Sequence, residues 1–406
     1  AGMGWGSSTL TPGPSMRSGV VLPRAVWILG WVSLATDAAS EAIYPLLPFF
    51  LTQLLGGGAL SLGIVEGVAE ATNSLLKVAS GAAADRSPTK RPLVLAGYLL
   101  SSAARPLMAL AQAWPHVFAI RFFDRVGKGI RSAPRDALLA RWATEATRGR
   151  VFSFHRGMDH AGAVIGPLLA TAFLWLYPGA YRTLFAATVI PGALSVWLVL
   201  LVREPADPTP EAPVGVRAHL SDLRPLCRGP LGGFLVVLAL FALANSTDAY
   251  LLLRLSEVLG DVTPVPLIWA ALHVVKAGVS FLAGGWSDRF GRWRMIGAGW
   301  LIYVMVYLGF AMTTTPAGLI ACFLVYGCYF GLTEGAERAL IADLAPASQR
   351  GLAFGVYAAI QGIGALGASL VFGAVWLGFG PGVAFATSAT LAAAAVCGLL
   401  VVSRRV

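Results

Sequence analysis

The chain has 406 residues, of which 57% are hydrophobic and 12% are charged, and its formal net charge is +10. Soluble domains carry roughly 25% charged residues, so this composition and a mean hydropathy of +0.72 exclude a water-soluble fold. The apolar runs have the ~20-residue length of membrane helices and lack the ~10-residue alternation of barrel strands. We therefore predict an all-α integral membrane protein.

The apolar runs divide into twelve predicted membrane spans. In chain order, they cover residues 25–52, 60–83, 92–113, 116–139, 155–177, 182–202, 231–257, 265–285, 294–313, 317–342, 351–377 and 381–403. Twelve helices of this length fit the chain with short connections, because each needs ~20 residues to cross ~30 Å of hydrocarbon. An even number of spans places both termini on the same side of the membrane.

The basic residues between spans indicate which side that is. They cluster in alternate loops, beginning with Arg86, Lys90 and Arg91 after span 2, whereas the loops between hold no lysine or arginine except Arg182. The positive-inside rule then places both termini in the cytoplasm, in a bacterial-type inner membrane. This topology, with contact to anionic lipid, accounts for the net positive charge, so we expect a lipid bilayer and no nucleic acid as partner.

Two halves of the sequence repeat each other. Gly81, Asp85 and Arg86 after span 2 recur 203 residues later in Gly284, Asp288 and Arg289, and residues 129–152 match 331–354 without a gap. Duplicated halves are typical of secondary transporters. We predict a flexible cytoplasmic N-terminus (1–24), two six-helix halves (25–202 and 231–403), a cytoplasmic linker (203–230) and a short cytoplasmic tail (404–406).

Several motifs together resemble the major facilitator superfamily, and within it the twelve-span drug and metabolite antiporters. They are the loop motif (Gly81, Asp85, Arg86, Lys90, Arg91), an RFxxxxGxG run (Arg121, Phe122, Gly127, Gly129), a GAVIGP element (Gly162, Gly166, Pro167) and two prolines in span 1 (Pro45, Pro48). The resemblance implies a proton-driven transporter without a cofactor, and we expect a monomer.

The same resemblance implies that Asp85 and Arg86 act in a conformational latch, and the repeat extends this role to Asp288 and Arg289. A carboxylate at a helix end can also bind the positive end of a neighbouring helix. The alternative is that these arginines only set the topology. For Gly162 and Gly166 we expect close helix packing, with a hinge as the alternative, and Pro167 should kink its helix.

Span 4 carries an unusual stripe of charge. Between residues 121 and 136 there are seven formal charges. Arg121, Arg125, Lys128 and Arg135 fall within an arc of about 80° on a helix, which Asp124 and Arg131 extend. Each charge would cost ~2.5–3.5 kcal/mol facing lipid at the membrane centre. The stripe must therefore face the bundle interior or water.

Carboxylates in spans 1 and 2 are the candidates for proton coupling. Asp37 and Glu41 lie one turn apart, as do Glu66 and Glu70. A carboxylate that binds a proton on one side of the membrane and releases it on the other provides the coupling. The alternatives are a fixed salt-bridge network with Arg121, Arg125 or Lys77, or direct binding of a cation or metal.

The remaining intramembrane polar residues are candidates for substrate binding. Their cationic members would bind an anionic or zwitterionic solute unless internal ion pairs neutralise them. His273 is either a solute ligand, a proton relay or a hydrogen-bonded structural residue. The full set is Tyr44, Asn73, Lys77, Arg121, Asp124, Arg125, Lys128, Asp248, Trp269, His273 and Lys276.

An inverted charge pair suggests an inner gate. Arg135 and Asp136 of span 4 correspond in the repeat to Glu337 and Arg338 of span 10. Opposite charges on the two halves would attract when the cytoplasmic side closes. We expect these pairs to hold the outward-facing state and to join the conformational latch.

These features predict a proton-coupled secondary transporter that exports a small organic solute, anionic or zwitterionic, by alternating access. The alternatives are a proton symporter for carboxylate uptake, a metal exporter using the acidic cluster, and a non-transporting channel or sensor. We do not expect an enzyme, because the sequence shows no grouping of nucleophile, base and orienting residue. It also has no GxxxxGK[ST] motif for ATP and no HExxH metal motif.

Overall fold

The computed structural model describes residues 22–143, 147–204, 228–346 and 349–404, which form helices joined by short turns, with no β-strand in these ranges. The first six helices are α1 (Arg24–Ile43), α2 (Ala59–Arg86), α3 (Arg91–Leu110), α4 (Trp114–Arg141), α5 (Arg148–Leu176) and α6 (Tyr181–Leu201). The next six are α7 (Gly229–Leu259), α8 (Val265–Phe290), α9 (Arg292–Met312), α10 (Pro316–Leu344), α11 (Arg350–Phe379) and α12 (Pro381–Ser403).

Each predicted span falls on one of these helices, and the boundaries differ most at span 5. There α5 begins at Arg148 and not at 155, so the helix is about two turns longer at this end than predicted. Most of the predicted flexible N-terminus (1–21), most of the predicted linker (205–227) and the last two residues of the tail lie outside the described residues. The division into two halves with these boundaries stays a prediction.

Nine helices of the described ranges are long and apolar enough to cross a membrane. The other three long helices, α1, α2 and α4, contain the acidic and basic residues expected in the bundle interior. Charge lowers their hydropathy, and charged residues at membrane depth are tolerated where they face protein or water. The all-α membrane fold class is confirmed, whereas the count of twelve spans stays a prediction.

Helix packing follows the order expected for duplicated halves. Helix α1 packs against α5 and α6, α4 packs against α2 and α3, and α3 also contacts α6. Every one of these pairs recurs six helices later: α7 packs against α11 and α12, α10 packs against α8 and α9, and α9 also contacts α12. The main contacts between the first six helices and the last six are α2 with α11 and α5 with α8, which are equivalent under the same shift.

The predicted glycine element in α5 makes a close helix contact. A Cβ on Gly162 would lie 2.5 Å from the carbonyl oxygen of Leu34, and one on Gly166 would overlap the backbone of Ala38. Both contacts are with α1, so these glycines let the two backbones approach as small residues do in membrane helices. Pro167 lies inside α5, immediately after this contact.

One end of the bundle is closed by Tyr250 of α7. Its buried hydroxyl donates to the carbonyl oxygens of Ser369 in α11 at 2.8 Å and Ala59 in α2 at 3.0 Å. Its ring packs on Phe372, with centroids 4.4 Å apart. Ala59 begins α2, whereas the basic loop follows the other end of that helix. The closed end is therefore the one remote from the basic loops.

Candidate functional site

A polar cavity of about 220 Å³ lies between the two sets of six helices, in the part of the bundle nearer the basic loops. Its wall is formed by residues of α1, α2, α4, α5 and α8. Six of the predicted coupling and solute-binding residues line it: Asp37, Glu41, Asn73, Lys77, Lys128 and His273. Arg135 and Asp136 of the predicted inner gate also reach this cavity.

Two opposite charges in the cavity lack an ion-pair partner among the described residues. They are the Asp37 carboxylate of α1 and the Lys128 ammonium of α4, and both side chains are half-buried. Since a desolvated charge without a partner is costly, each is available to a charged ligand or a proton. The nearby Lys77 side chain is exposed and also forms no ion pair in the described part of the chain.

Glu41 joins the two sets of helices at the cavity wall. Its Oε2 accepts a hydrogen bond from Nε1 of Trp269 in α8 at 2.9 Å, and Nε2 of His273 lies 4.0 Å from the same oxygen. Neither ring nitrogen of His273 has a hydrogen-bond partner among the described residues. Trp269 and His273 therefore meet the predicted coupling residue from the opposite side, and both His273 nitrogens are buried without a hydrogen bond to the described residues.

Glu66 lies apart from the cavity in a buried ion cluster. Its two oxygens accept hydrogen bonds from Nε and Nη2 of Arg121, both at 2.7 Å. Arg121 also lies 3.6 Å from Asp124, which accepts from Nε of Arg105 at 2.9 Å. These residues are all buried. The sequence analysis gave a fixed salt bridge as one alternative for Glu66. This conformation contains that salt bridge, with Arg121 as the partner.

Arg105 was missed by the sequence analysis. It lies in α3 and also donates from Nη1 to the carbonyl oxygen of Thr36 in α1, at 3.0 Å. An arginine inside a predicted span is itself a signal for a buried partner, but the sequence does not indicate which partner. The opposing charge turned out to be Asp124, one of the predicted solute ligands.

The other predicted solute ligands are distributed around the polar cavity and the buried ion cluster. Arg125 is 3.9 Å from Asp124, and Tyr44 has its ring 5.5 Å from the Arg121 guanidinium. Asp248 follows a break in α7 and accepts from the Tyr326 hydroxyl at 2.8 Å. Lys276 lies 3.9 Å from Glu334 and over the Phe330 ring. Glu70 accepts from the Asn73 amide at 3.1 Å, on an exposed surface.

The predicted latch is only partly described. The side chains of Asp85, Arg86 and Asp288 lie outside the described residues, so their contacts stay predictions. Gly81 lies in α2 close to Ala133 of α4, and the Arg289 guanidinium lies 5.6 Å from the Phe290 ring.

The charge pairs of the predicted inner gate each bind within their own set of helices. Arg135 donates to Asp136 at 3.0 Å, while Arg338 donates to Glu334 at 3.3 Å. Glu337 is buried and contacts Trp300 of α9. The gate contact expected in the outward-facing state is therefore not formed by these residues in this conformation.

Comparison with known proteins gives the family. The profile of the Major Facilitator Superfamily (MFS) matches residues 27–369, with a further match over 267–405. An MFS-type transporter of Methanocaldococcus jannaschii is 30% identical over 362 residues, which are 87% of this chain and 89% of the relative. The multidrug resistance protein MdtH of Salmonella newport is 28% identical over 322 residues, 76% of each chain.

Solved structures share the fold at low sequence identity. The nucleoside transporter NupG superposes with a TM-score of 0.78 at 12% identity, over 94% of this chain and 100% of NupG. A D-xylose–proton symporter superposes with a TM-score of 0.71 at 16% identity, over 92% of this chain and 96% of the symporter. The motifs, the helix packing and these matches agree, and the chain belongs to the Major Facilitator Superfamily, whose members are membrane transporters and not enzymes.

Proposed function

We propose that the protein is a proton-coupled secondary transporter that exports a small anionic or zwitterionic organic solute by alternating access. The observation that carries this proposal is the cavity with the unpaired charges of Asp37 and Lys128 on its wall. An ammonium group attracts a carboxylate or phosphate of a solute. The carboxylate opposite can hold either a proton or a cationic group of the solute.

The open side of the bundle is the one from which an exporter would load its solute. The cavity lies toward the basic loops, which the positive-inside rule assigns to the cytoplasm, and Tyr250 closes the other end. A solute would therefore enter from the cytoplasm in this conformation. The likeness to a protein named for multidrug resistance supports the same direction. Proton symport of a carboxylate would use the same residues in the opposite direction.

Proton coupling is assigned first to Asp37 and then to Glu41. Asp37 has no ion-pair partner in the described ranges, whereas Glu66 is held by Arg121 and Glu70 lies on an exposed surface. Glu41 contacts Trp269 and His273 of α8. A change in its protonation would therefore act directly on a contact between the two sets of helices.

The test measures proton movement by the purified protein in proteoliposomes that contain a pH-sensitive dye. Organic anions, zwitterions and cationic dyes are added in turn to the parent and to the Lys128→Ala and Asp37→Asn variants. We expect anions or zwitterions to move protons in the parent. Loss of a charge-assisted contact worth ~1.5–3 kcal/mol should raise the KM of Lys128→Ala for them by about 10-fold or more. Asp37→Asn should lose proton movement.

The matched control is Asp261→Asn, because Asp261 is an exposed carboxylate in the turn before α8. It should behave as the parent does. A response to cationic dyes alone, with Lys128→Ala unaffected, would contradict the solute class. Solute flux that moves no protons in the parent would contradict the coupling.

A further inference from the structure

Glu337 of α10 is a buried carboxyl group that the proposed cycle does not use. Only 3% of the residue is exposed. Its Oε1 accepts a hydrogen bond from Nε1 of Trp300 at 3.0 Å, and its Oε2 lies 3.0 Å from the Tyr357 hydroxyl. The Gln361 amide nitrogen is 3.4 Å from the same Oε2. Every one of these partners is a neutral side chain.

No described cation pairs with Glu337. On its own helix, Arg338 is exposed and donates to Glu334, and from α8 Lys276 also faces Glu334. From α9 the partner is Trp300, whose other contact is the stacked ring of Phe241 in α7, at 4.2 Å. From α11 the partners are Tyr357 and Gln361. The surroundings thus supply hydrogen bonds without supplying a positive charge.

The buried Glu66 shows what a glutamate paired with a cation looks like in this bundle. It is 5% exposed, close to the value for Glu337, and Arg121 binds both of its oxygens. Burying a carboxylate without a cation is strongly unfavourable, and such groups become neutral instead. The contrast between the two glutamates therefore concerns charge, not depth.

A protonated Glu337 is compatible with the contacts around it. The Tyr357 hydroxyl donates to Oε2 at 3.0 Å, and its oxygen accepts a hydrogen bond from Gln361 at 3.3 Å. Oε1 remains the acceptor for Trp300. The neutral acid keeps acceptor capacity on both oxygens, so each of these contacts can persist without a buried charge.

Glu337 is also connected to the contact between the two sets of helices. Its neighbour Gln361 directly precedes Gly362 in α11, where an added Cβ would lie 2.6 Å from the Ser74 side chain of α2. Helices α2 and α11 form the most extensive contact in the bundle. A movement that separates them shifts α11, and with it the two α11 partners of Glu337.

We propose that Glu337 is a second proton-binding site, which holds a proton in this conformation and releases it to water when α11 moves. The ligand is a proton, and the step is the ionisation of one carboxylic acid. The site is separate from Asp37 and Glu41, because it faces α9 and α11 and not the cavity. Whether the proton is held here does not depend on the identity of the solute.

The test is infrared spectroscopy of the purified protein in lipid at neutral pH, which detects the C=O stretch of protonated carboxyl groups apart from the carboxylate bands. Difference spectra compare the parent with Glu337→Gln and, as a matched control, with Glu66→Gln. We expect Glu337→Gln to lose one carboxylic-acid band. Glu66→Gln should lose a carboxylate signal and no acid band.

A second variant protects the test against misfolding. Tyr357→Phe keeps Glu337 and removes the hydroxyl that donates to Oε2, so the acid band should move to higher frequency without disappearing. Unchanged acid bands in both Glu337→Gln and Tyr357→Phe would overturn the proposal. Loss of a carboxylate band in Glu337→Gln would do the same, because Glu337 would then be ionised.

This experiment involves no transport, so its failure leaves the proposed function intact. Conversely, absence of proton-coupled flux in proteoliposomes would leave the acid band of Glu337 to be explained by structure alone. If the protein couples solute to protons and Glu337 also holds a proton, Glu337→Gln should move one proton fewer per solute than the parent. The Asp261→Asn control should keep the parent's ratio.

Discussion

The first and last six helices fill equivalent positions with different chemistry. In α3 and α4, Arg105, Arg121 and Asp124 form a buried ion cluster. The positions 202 residues further along, in α9 and α10, are Tyr307, Phe323 and Tyr326. Their rings are in contact, with centroids 6.2 Å apart for the two tyrosines. Duplicated packing has thus been kept while the interior has diverged from ionic to aromatic.

A second set of equivalent positions differs in the sign of the central charge. In each half, a residue near the end of the fourth helix lies among residues of its third and fifth helices. The first set is Tyr98, Arg135, His155 and Asp159, and the second, 202 residues later, is Trp300, Glu337, Tyr357 and Gln361. Arg135 has an acidic partner in Asp136, whereas the described partners of Glu337 are neutral.

The comparison teaches that the two halves stabilise buried charge by different means. In the first six helices, the buried carboxylates of Asp124 and Glu66 are held by arginines. In the last six, Asp248 and Glu337 are held by hydroxyl, indole and amide groups. A fixed ion pair resists change, whereas a carboxyl with neutral partners can gain or lose a proton at lower cost. The predictions below test this difference.

The largest expected effect is that of Arg121→Ala on stability. The substitution leaves Glu66 buried without its cation, and breaking a buried pair in this way costs about 3–5 kcal/mol. Thermal unfolding of the purified protein in detergent measures the loss. The matched control is Arg254→Ala, because Arg254 forms a more accessible pair with Glu257 at 3.6 Å. Such pairs contribute only about 0–1 kcal/mol. Equal losses in the two variants would refute the contrast.

A smaller effect is expected for Trp300→Phe in the second half. The variant removes the indole N–H that donates to Glu337 and keeps an aromatic ring against Phe241. If the acid is neutral, the lost hydrogen bond costs about 0.5–1.5 kcal/mol, whereas a bond to an ionised group is worth about 1.5–3 kcal/mol. The same unfolding assay measures it. Because the smaller ring also leaves a cavity, the loss is compared with that of the same substitution in Glu337→Gln, and a difference at the upper end would show that Glu337 is charged.

The smallest effect is expected when Arg121 and Glu66 are both replaced by methionine. Replacing a whole buried ion pair with apolar residues of similar volume is often neutral or stabilising, although Asp124 would keep only Arg105 and Arg125. We therefore expect the double variant to unfold close to the parent and far above Arg121→Ala. A double variant as unstable as the single one would show that Arg121 matters through Asp124 and not through Glu66.

Much of the candidate site was predictable because charge in an apolar chain is conspicuous. The periodicity of span 4 placed Arg121, Arg125 and Lys128 on one interior face, and the structure places all of them inside the bundle. The periodicity did not indicate that Arg121 binds Glu66, or that Lys128 forms no ion pair with the described residues. One helix turn separates interior positions that face different neighbours, and pairing depends on which helix lies opposite.

Glu337 of the last six helices shows the same limit of prediction from sequence. Its repeat relationship to Arg135 suggested a gate between opposite charges, but the structure directs it toward Trp300 and Tyr357 of its own six helices. The repeat specifies equivalent positions. It does not specify which of two adjacent helix faces meets the partner half in a given conformation.

The sequence by itself determined that this is a helical membrane protein, where its long helices lie, and which residues carry charge into the bundle, because hydropathy and helical period are local properties. Membership of the superfamily was also visible in local motifs. Only the tertiary structure decided which charges neutralise each other, which line the cavity and which end of the bundle is closed. Those outcomes depend on distances of a few ångströms between helices that are far apart in the chain, and no local pattern encodes them.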